Sequence, residues 1–266
     1  MAWRDSSGGG QPRTSGSSRR PDQEQAIADL AVRHEAAVKQ YYAGRIDSAI
    51  PLFEQILLGC RTVLGDRHAH TLTVEGNLAV VYLTGGRIDE GLSALEEIHD
   101  LRQRVWGEDD PRTLTARECL ATAYRLHGHA DEAVSLAETV VAARQQVLGA
   151  SHPHTLTSRL GLALAYAEVN AMTRANEVLV SALDDACQTH GSMHRHTIAI
   201  RAALACCHAA TGKLMAASVE YDHAVTDSAA LLGADHPDTI ELQVERDDLA
   251  EISTKRHETT GRECRD

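Results

Sequence analysis

Residues 148–156 read Leu-Gly-Ala-Ser-His-Pro-His-Thr-Leu, and this stretch is one of five related copies in the chain. The other copies start at residues 64, 106, 190 and 232, so each copy follows the previous one by 42 residues. The glycine and the threonine keep this spacing in every copy, without an insertion or a deletion. A constant period of this size is typical of stacked-repeat proteins, in which each unit buries its apolar face against its neighbours.

Each period holds start and stop signals for two helices. Residues that favour a left-handed helix end recur with the same period: Gly44, Gly86, Gly128, Asn170 and Gly212. Three residues later come side chains that can cap a second helix: Asp47, Asp89, Asp131 and Thr173. Proline stands where the first helix of a pair is expected to begin, at Pro111, Pro153 and Pro237. Because aromatic residues make up only 3% of the chain, the pattern favours an all-α fold of helix pairs over a sheet.

Small residues recur at one position of each helix. In the first helix they are Ala37, Ala79, Ala121, Ala163 and Ala205. In the second helix they are Ala49, Gly91, Ala133, Ala175 and Ala217. Small residues at both positions allow two antiparallel helices to approach closely. A tyrosine follows three residues after the first set, at 82, 124 and 166, and its regular spacing indicates packing in the core and between repeats.

The order of these positions resembles the tetratricopeptide repeat, in which a small residue, a tyrosine three residues on and a glycine precede the second helix. The long second helix and the Leu-Gly-x-x-His-Pro-x-Thr-Leu linker are similar to the repeats of kinesin light chains and of bacterial STAND-type regulators. The resemblance covers about residues 27–252. It implies a right-handed superhelical solenoid of antiparallel helix pairs, with about eleven helices. No phosphate-binding loop motif occurs, so the sequence predicts no nucleotide cofactor.

The period also predicts the domain boundaries. We expect residues 1–21, rich in Ser, Gly and Arg, to be a disordered basic tail. Residues 22–252 are expected to form the solenoid, with repeats at about 27–68, 69–110, 111–152, 153–194 and 195–236. A helix at 237–252 should cap the array, because Arg246 and Asp247 replace apolar residues there. Residues 253–266 are expected to be a flexible tail.

Charge and hydropathy narrow the classes of partner. The net charge is −12, and an acidic body repels phosphate backbones, which argues against a nucleic-acid partner. No apolar run is long enough to span a bilayer and the first residues do not form a signal peptide, so we expect a cytoplasmic protein without a membrane partner. The six cysteines contain no CxxC motif, which predicts reduced, packed thiols.

The sequence predicts neither a metal site nor an active site. Paired histidines occur in three linkers: His68 and His70, His152 and His154, and His194 and His196. Two ligands do not complete a zinc site, and successive linkers are expected to lie roughly 10 Å apart, the packing distance of neighbouring helices. The motifs of serine hydrolases and zinc proteases are absent from the sequence. We therefore predict a non-catalytic protein with no cofactor, no metal and no catalytic residue.

One polar feature keeps the period, an arginine in the first helix of several repeats. It is present as Arg117, Arg159 and Arg201, with Arg33 at the same position of the first repeat and Glu75 interrupting the series. The resemblance implies that the first helices line a concave groove, where these arginines would bind an acidic segment of a partner. The alternative is that each arginine pairs with a neighbouring acidic side chain of its own chain.

The same register predicts the rest of the groove. In the later repeats its floor is small and apolar, with Ala199, Ala202, Ala203, Cys206 and Ala210. Beside the three arginines, the candidate partner-binding residues are Tyr41, Tyr42, Asn77, Leu83, Arg125 and Glu168. Repeats of the kinesin light chain kind usually place an asparagine at the position of Asn77, where it can hold a peptide backbone.

The predicted function is that of a non-catalytic scaffold or adaptor that binds a peptide or helix of a partner protein in the groove. Two alternatives remain open. The chain could be the sensor arm of a regulatory pathway that acts with a separately encoded ATPase or transcription regulator, or it could form a structural homodimer. We expect a protein or peptide partner, with an acidic segment as one candidate, and a chain that is monomeric or weakly dimeric.

Overall fold

The computed structural model describes residues 21–263, with side-chain detail for residues 24–254. Within this range the chain forms eleven α-helices and no strand, which confirms the predicted fold class. The helices are α1 Pro21–Tyr42, α2 Ile46–Leu64, α3 Ala69–Thr84, α4 Ile88–Trp106, α5 Pro111–Leu126, α6 Ala130–Leu148, α7 Pro153–Glu168, α8 Met172–His190, α9 Arg195–Ala210, α10 Leu214–Leu232 and α11 Pro237–Glu263. The predicted disordered tail lies outside the described residues except for Pro21, at which α1 begins.

The described chain divides into two compact units, one ending at residue 127 with α1–α5 and one starting at residue 128 with α6–α11. Within each unit, helices that follow one another along the chain pack together. The helices alternate in length, with 16 residues in α3, α5, α7 and α9 and 19 residues in α4, α6, α8 and α10. The helix pair is therefore the repeating element in both units.

The core of each unit is built on the recurring small residues. In the first unit Ala37 and Ala49 have no exposed surface, and Phe53, Ile56 and Val74 pack in the same cluster. In the second unit the buried cluster contains Ala205, Ala217, Tyr221 and Leu249. Because alanine holds the helices at close range, larger aliphatic and aromatic side chains fill the space on either side of it.

The turns inside the pairs have the predicted left-handed residue. The backbone φ angle is 73° at Gly44, 79° at Gly86, 87° at Gly128, 76° at Gly212 and 57° at Asn170. The predicted caps of the second helices were wrong. Asp47, Asp89, Asp131 and Thr173 are each the second residue of their helix, and the residues at the N-cap position make no capping bond through their side chains. The three aspartates lie in the first turn, where the helix dipole favours a negative charge.

The last helix is longer than the sequence suggested. The expected cap ended at residue 252, whereas α11 continues to Glu263, through most of the segment that we expected to be a flexible tail. Leu249 anchors this helix in the core with 6% of its surface exposed. The outer face is not uniformly polar, because Ile240, Val244 and Ile252 are exposed on it.

Candidate interaction surface

The recurring glycine and threonine of the linkers have a structural role. Thr71 Oγ1 donates a hydrogen bond to the carbonyl of Gly65 at 2.8 Å, and Thr197 Oγ1 donates to the carbonyl of Gly191 at 2.8 Å. Both threonines are fully buried. The φ angle of Gly65 is 86°, a conformation that other residues rarely adopt. These two linker residues therefore hold the turn between successive helix pairs and are not available to a ligand.

The linker histidine caps the helix that follows it, a role that the sequence analysis missed. In four linkers its Nδ1 accepts a hydrogen bond from the backbone N–H two residues later, over 3.2–3.4 Å. The capping histidines are His68, His152, His194 and His236. Asp110 takes this place before α5 and accepts from the N–H of Arg112 at 2.9 Å. Since a ring nitrogen accepts only when it carries no proton, the four histidine caps require a neutral imidazole.

Two buried arginines support the same linkers and were also missed. Arg102, 3% exposed, donates to the carbonyls of Leu72 and Arg112 at 3.1 Å each. Arg144, 2% exposed, donates to the carbonyl of His154 at 3.0 Å and to the Ser158 hydroxyl at 2.7 Å. The only sign of this role in the sequence was that the two arginines are 42 residues apart, one repeat period. They satisfy backbone carbonyls near the starts of the first helices, where buried polar groups need partners.

A tyrosine–glutamate pair joins successive repeats. Tyr82 donates to Glu54 at 2.8 Å, and two further pairs keep the same separation of 28 residues along the chain. These are Tyr124 with Glu96 at 2.6 Å and Tyr166 with Glu138 at 2.6 Å. Burial and the accepting carboxylate of Glu54 raise the pKa of Tyr82 to about 12. The tyrosines thus pack between repeats, as the sequence indicated, and each hydroxyl has a partner on the preceding helix pair.

Two of the recurring arginines, Arg159 and Arg201, contact the second helix of their own pair. Arg159, 3% exposed, donates to Asp185 at 2.6 Å and to the Ser181 hydroxyl at 2.7 Å. Arg201 donates to Glu220 at 2.9 Å and lies 3.9 Å from Asp227.

The remaining members of the series are engaged as well. Arg117 donates to His99 Nε2 at 3.1 Å, and Arg33 donates to Gln55 at 3.3 Å. In the second repeat, where glutamate replaces the arginine, Glu75 accepts a hydrogen bond from Arg61 at 2.5 Å. The geometry thus favours internal pairing over an arginine series that is open to a partner, because each of these arginines has a hydrogen-bond partner within its own unit.

The predicted residues Tyr41, Tyr42 and Asn77 lie together in the first unit. The rings of Tyr41 and Tyr42 meet edge to face with centroids 5.4 Å apart, and Tyr42 is 61% exposed. Tyr41 shares a hydrogen bond with Thr84 of α3 at 3.3 Å. Beside them lie the side chains of Val38, Phe53, Asn77, Val80 and Val81, packed without a cavity.

Asn77 itself faces inward. It is 2% exposed, and its amide donates to His34 Nε2 at 2.9 Å. Burial, and next the positive charge that His70 can carry, lower the pKa of His34 to about 4, so this imidazole is neutral near pH 7. The amide that the resemblance suggested as a peptide clamp is therefore in contact with a core histidine.

The other candidate residues are dispersed. Leu83 is half-buried and lies against Gly91 of α4, Arg125 is half-buried at the end of α5, and Glu168 is exposed at the end of α7. The small residues predicted for the later groove are on the surface of α9, where Ala199, Cys206 and Ala210 are exposed and Ala202 and Ala203 are half-buried. The geometry therefore brings together only the tyrosine group in the first unit.

Comparison with known proteins identifies the repeat. A family model described as tetratricopeptide repeat matches residues 71–146. Residues 71–146 are thus similar to tetratricopeptide repeats. None of the curated protein sequences matches it.

Solved structures with tetratricopeptide-like repeats are similar to the chain. A variant of a kinesin light chain-like protein with nearly identical TPR-like repeats from Podosopora anserina is 28% identical, with 76% of this chain and 95% of that chain covered and a TM-score of 0.69. BtubC (BKLC) from P. vanneervenii is 17% identical, with coverage of 82% and 95% and a TM-score of 0.64. A thermophilic TPR protein of Thermus thermophilus is 22% identical, with coverage of 83% and 98% and a TM-score of 0.54. The last two similarities concern the fold alone.

Among the described residues, no group of three or more His, Cys, Asp or Glu side chains is placed to bind a metal ion. The five cysteines of this range are free thiols, and Cys264 lies outside it. Among the described helices, none has both the length and the apolarity needed to cross a bilayer.

Proposed function

We propose that the chain is a non-catalytic scaffold that binds a peptide or helix of a partner protein through the first unit. Tetratricopeptide repeats generally mediate protein–protein interactions, and this family of scaffolds is generally non-catalytic. The binding surface consists of Val38, Tyr41, Tyr42, Val80 and Thr84, which we call the tyrosine face. It lies on α1 and α3, which are first helices of their pairs.

The exposed Tyr42 carries this proposal. Its side chain is 61% exposed although the neighbouring Tyr41 is in contact with it, so the ring is held in place without being used by the core. Tyrosine is enriched among the residues that dominate binding energy, because it offers a large, rigid contact area and a polar tip. Val38 and Val80 are half-buried and add apolar surface beside the rings. A partner side chain could cover the Tyr42 ring without displacing a residue of the repeat.

The recurring arginines are not part of the proposed surface. The side chain of Arg159 is 4% exposed and that of Arg201 is 15% exposed, and both are in contact with carboxylates. An acidic partner would have to displace those carboxylates, with a cost for each buried charge left without its pair. The tyrosine face therefore favours a partner with aromatic or aliphatic anchor residues, and an acidic segment is not required.

Affinity capture from a lysate of the source organism tests this function. The unmodified chain should retain a specific protein, and Tyr42→Ala should reduce its retention by roughly 30-fold or more, the effect of a hot spot worth about 2 kcal/mol. Leu58→Ala is the matched control, because Leu58 is 68% exposed on α2 of the same unit and lies outside the tyrosine face.

Two outcomes would contradict the proposal. One is equal capture by the unmodified chain and Tyr42→Ala, which would move the contact to another surface. The other is that only a second copy of the chain is retained, with light scattering showing a dimer, which would support the homodimer alternative. Capture of an ATPase or a transcription regulator through Tyr42 would identify the scaffold as the sensor arm of that pathway.

A further inference from the structure

Five histidines of the second unit lie where α7, α8 and α9 meet, in one group of three rings and one of two. The ring centroids of His190 and His194 are 4.7 Å apart, and those of His194 and His196 are 5.2 Å apart, with the rings nearly parallel in both pairs. His152 and His154 lie 5.4 Å apart at the start of α7. Stacked rings direct their nitrogens away from a common point, so this cluster is not arranged as a metal site.

Three of these histidines also hold the helices in place through hydrogen bonds. His152 caps α7 and His194 caps α9, each through Nδ1. His190, the last residue of α8, donates from Nε2 to the carbonyl of Ser151 at 2.7 Å and so joins the end of α8 to the linker before α7. His196 Nδ1 is buried and has no hydrogen-bond partner among the described residues. A proton on either capping Nδ1 would remove the acceptor and place an N–H against an N–H.

The charges around the cluster disfavour protonation. Arg144 of α6 acts on His152, and Arg195 of α9 acts on His194 and His196. In the part of the chain that the structure describes, none of the five histidines forms an ion pair with a carboxylate. Two acidic groups of α10 are already engaged, since Glu220 and Asp227 face Arg201 and Asp227 also accepts from Ser192.

The titration of the cluster follows from this environment. Burial is the main cause that lowers the pKa of His152, His194 and His196. The neighbouring histidines lower it further, because each added proton would repel the next. When the start of α9 separates from α7 and α8, the pKa values of these imidazoles return towards their ordinary value of 6.5. The open form therefore binds more protons than the closed form once the pH falls below about 6.5, and acidification favours opening.

We propose that these five histidines form a pH-sensitive joint that holds α9 against α7 and α8 at neutral pH and releases the start of α9 on acidification. The joint combines two helix caps, a link from α8 to α7 and a set of stacked rings. The two caps need an unprotonated Nδ1, and charged rings in the stack would repel one another. The proposal concerns the second unit, so it does not depend on binding at the tyrosine face.

The chain contains its own control for this proposal. The helix α5 has the same 16-residue length as α9, but its cap is Asp110. The Arg112 side chain holds the pKa of Asp110 below its usual value, so this cap stays charged at mildly acidic pH. Acid should therefore loosen the start of α9 and leave the start of α5 closed.

Amide hydrogen exchange followed by mass spectrometry tests the joint on the full chain at pH 7.5 and 5.5, with rates corrected for the intrinsic effect of pH. Protection at residues 195–204 should fall about fivefold or more, because the open form takes up protons between these two pH values that the closed form excludes. Protection at residues 111–120 should change by less than about twofold, because that helix start has no titrating cap. An equal change in the two segments would overturn the proposal.

Substitution of the stacked rings links the effect to the cluster. In a variant with His190→Asn and His194→Asn, the second asparagine still caps α9 but cannot titrate, so most of the pH response of α9 should disappear. His223→Asn is the matched control, since His223 is exposed on α10 outside the cluster and the variant should respond as the unmodified chain does. A full response in the double variant would refute the joint. If that variant does not fold, NMR titration of the unmodified chain decides: His152, His194 and His196 must titrate below pH 6.5, together with the loss of protection in α9.

Discussion

The Tyr166 hydroxyl donates a hydrogen bond to Glu138 Oε1 at 2.6 Å, and this contact joins α7 to the helix of the preceding pair. The Tyr166 side chain is 7% exposed, so the bond lies at the edge of a buried contact. Tyr82 and Tyr124 make the same bond in the first unit. An arginine lies over the ring of Tyr82 and over that of Tyr166, with Arg87 4.2 Å from the Tyr82 centroid and Arg174 5.5 Å from the Tyr166 centroid.

Removal of this hydroxyl should weaken the second unit. Tyr166→Phe keeps the ring in the core and removes only the bond to Glu138, which predicts a loss of about 1 kcal/mol in the free energy of unfolding. Tyr42→Phe is the control, because Tyr42 is 61% exposed and its variant should unfold as the unmodified chain does. Urea unfolding followed by circular dichroism measures both, and equal midpoints for the two variants would show that the bond contributes nothing.

Two arginines at the same repeat position should differ in importance. Arg159→Ala leaves Asp185 and Ser181 without their donor inside the helix pair, and we expect a loss of about 1–3 kcal/mol, reduced from the fully buried case because Asp185 is 34% exposed. Arg33→Ala removes a surface contact to Gln55 and should cost less than about 0.5 kcal/mol. Chemical unfolding of both variants checks this, and similar losses would argue against internal pairing as the role of Arg159.

Two helical glycines should respond to alanine in opposite directions. A Cβ at Gly91 would lie 2.6 Å from Leu83 Cγ and 3.0 Å from the carbonyl oxygen of Ala79, so Gly91→Ala should destabilise the first unit by about 1–3 kcal/mol. At Gly161 a Cβ would meet nothing within 4 Å. Gly161→Ala should therefore stabilise α7 by about 0.5–1 kcal/mol.

Thermal unfolding of the two variants measures this difference. A double variant with Gly91→Ala and Leu83→Ala tests the cause, because the smaller side chain at position 83 makes room for the new Cβ. If the second substitution restores none of the melting temperature lost in Gly91→Ala, the clash with Leu83 is not the reason for the loss.

His34 should make the first unit sensitive to acid. Its pKa of about 4 in the folded chain lies below the ordinary value of 6.5, so the unfolded chain takes up the proton first. The free energy of unfolding should thus be highest above pH 6.5 and decrease as the pH falls from 6.5 towards 4. Urea titrations at intermediate pH values measure this slope.

His34→Gln removes this titrating group and should reduce the slope between pH 6.5 and 4, even if the variant is less stable at neutral pH. The part of the slope that comes from His152, His194 and His196 should remain. His129→Asn is the control, because the His129 side chain is 48% exposed and its removal should leave the slope in place. An unchanged slope in His34→Gln would assign the acid sensitivity to other groups.

Much of the fold could be predicted because the repeat signals are local. The left-handed ends at Gly44 and Asn170 follow from the low cost of that conformation for glycine and asparagine. The cap assignments failed for a local reason too, because a shift of two residues in the helix start changes a cap such as Asp47 into a first-turn residue. Histidine is not among the preferred capping residues, so the role of His194 was not visible in the sequence.

The candidate site was harder to predict, since exposure depends on residues distant in the chain. Arg159 and Arg33 occupy one register position, yet Arg159 is 3% exposed and Arg33 is on the surface. The difference comes from α8, which presents Asp185 and Ser181 to Arg159. Asn77 was expected to face a peptide, but His34 on α1 accepts from its amide.

The helix pair, its period and the positions of its turns follow from the amino-acid sequence alone, because they depend on backbone conformations and apolar spacing within one repeat. Which side chains at equivalent positions are buried and which are exposed depends on the packing of the folded chain. This packing also brought five histidines together from the start of α7, the end of α8 and the start of α9. These contacts arise between helix pairs, where a residue's surroundings are set by its neighbours in space rather than by its place in the repeat.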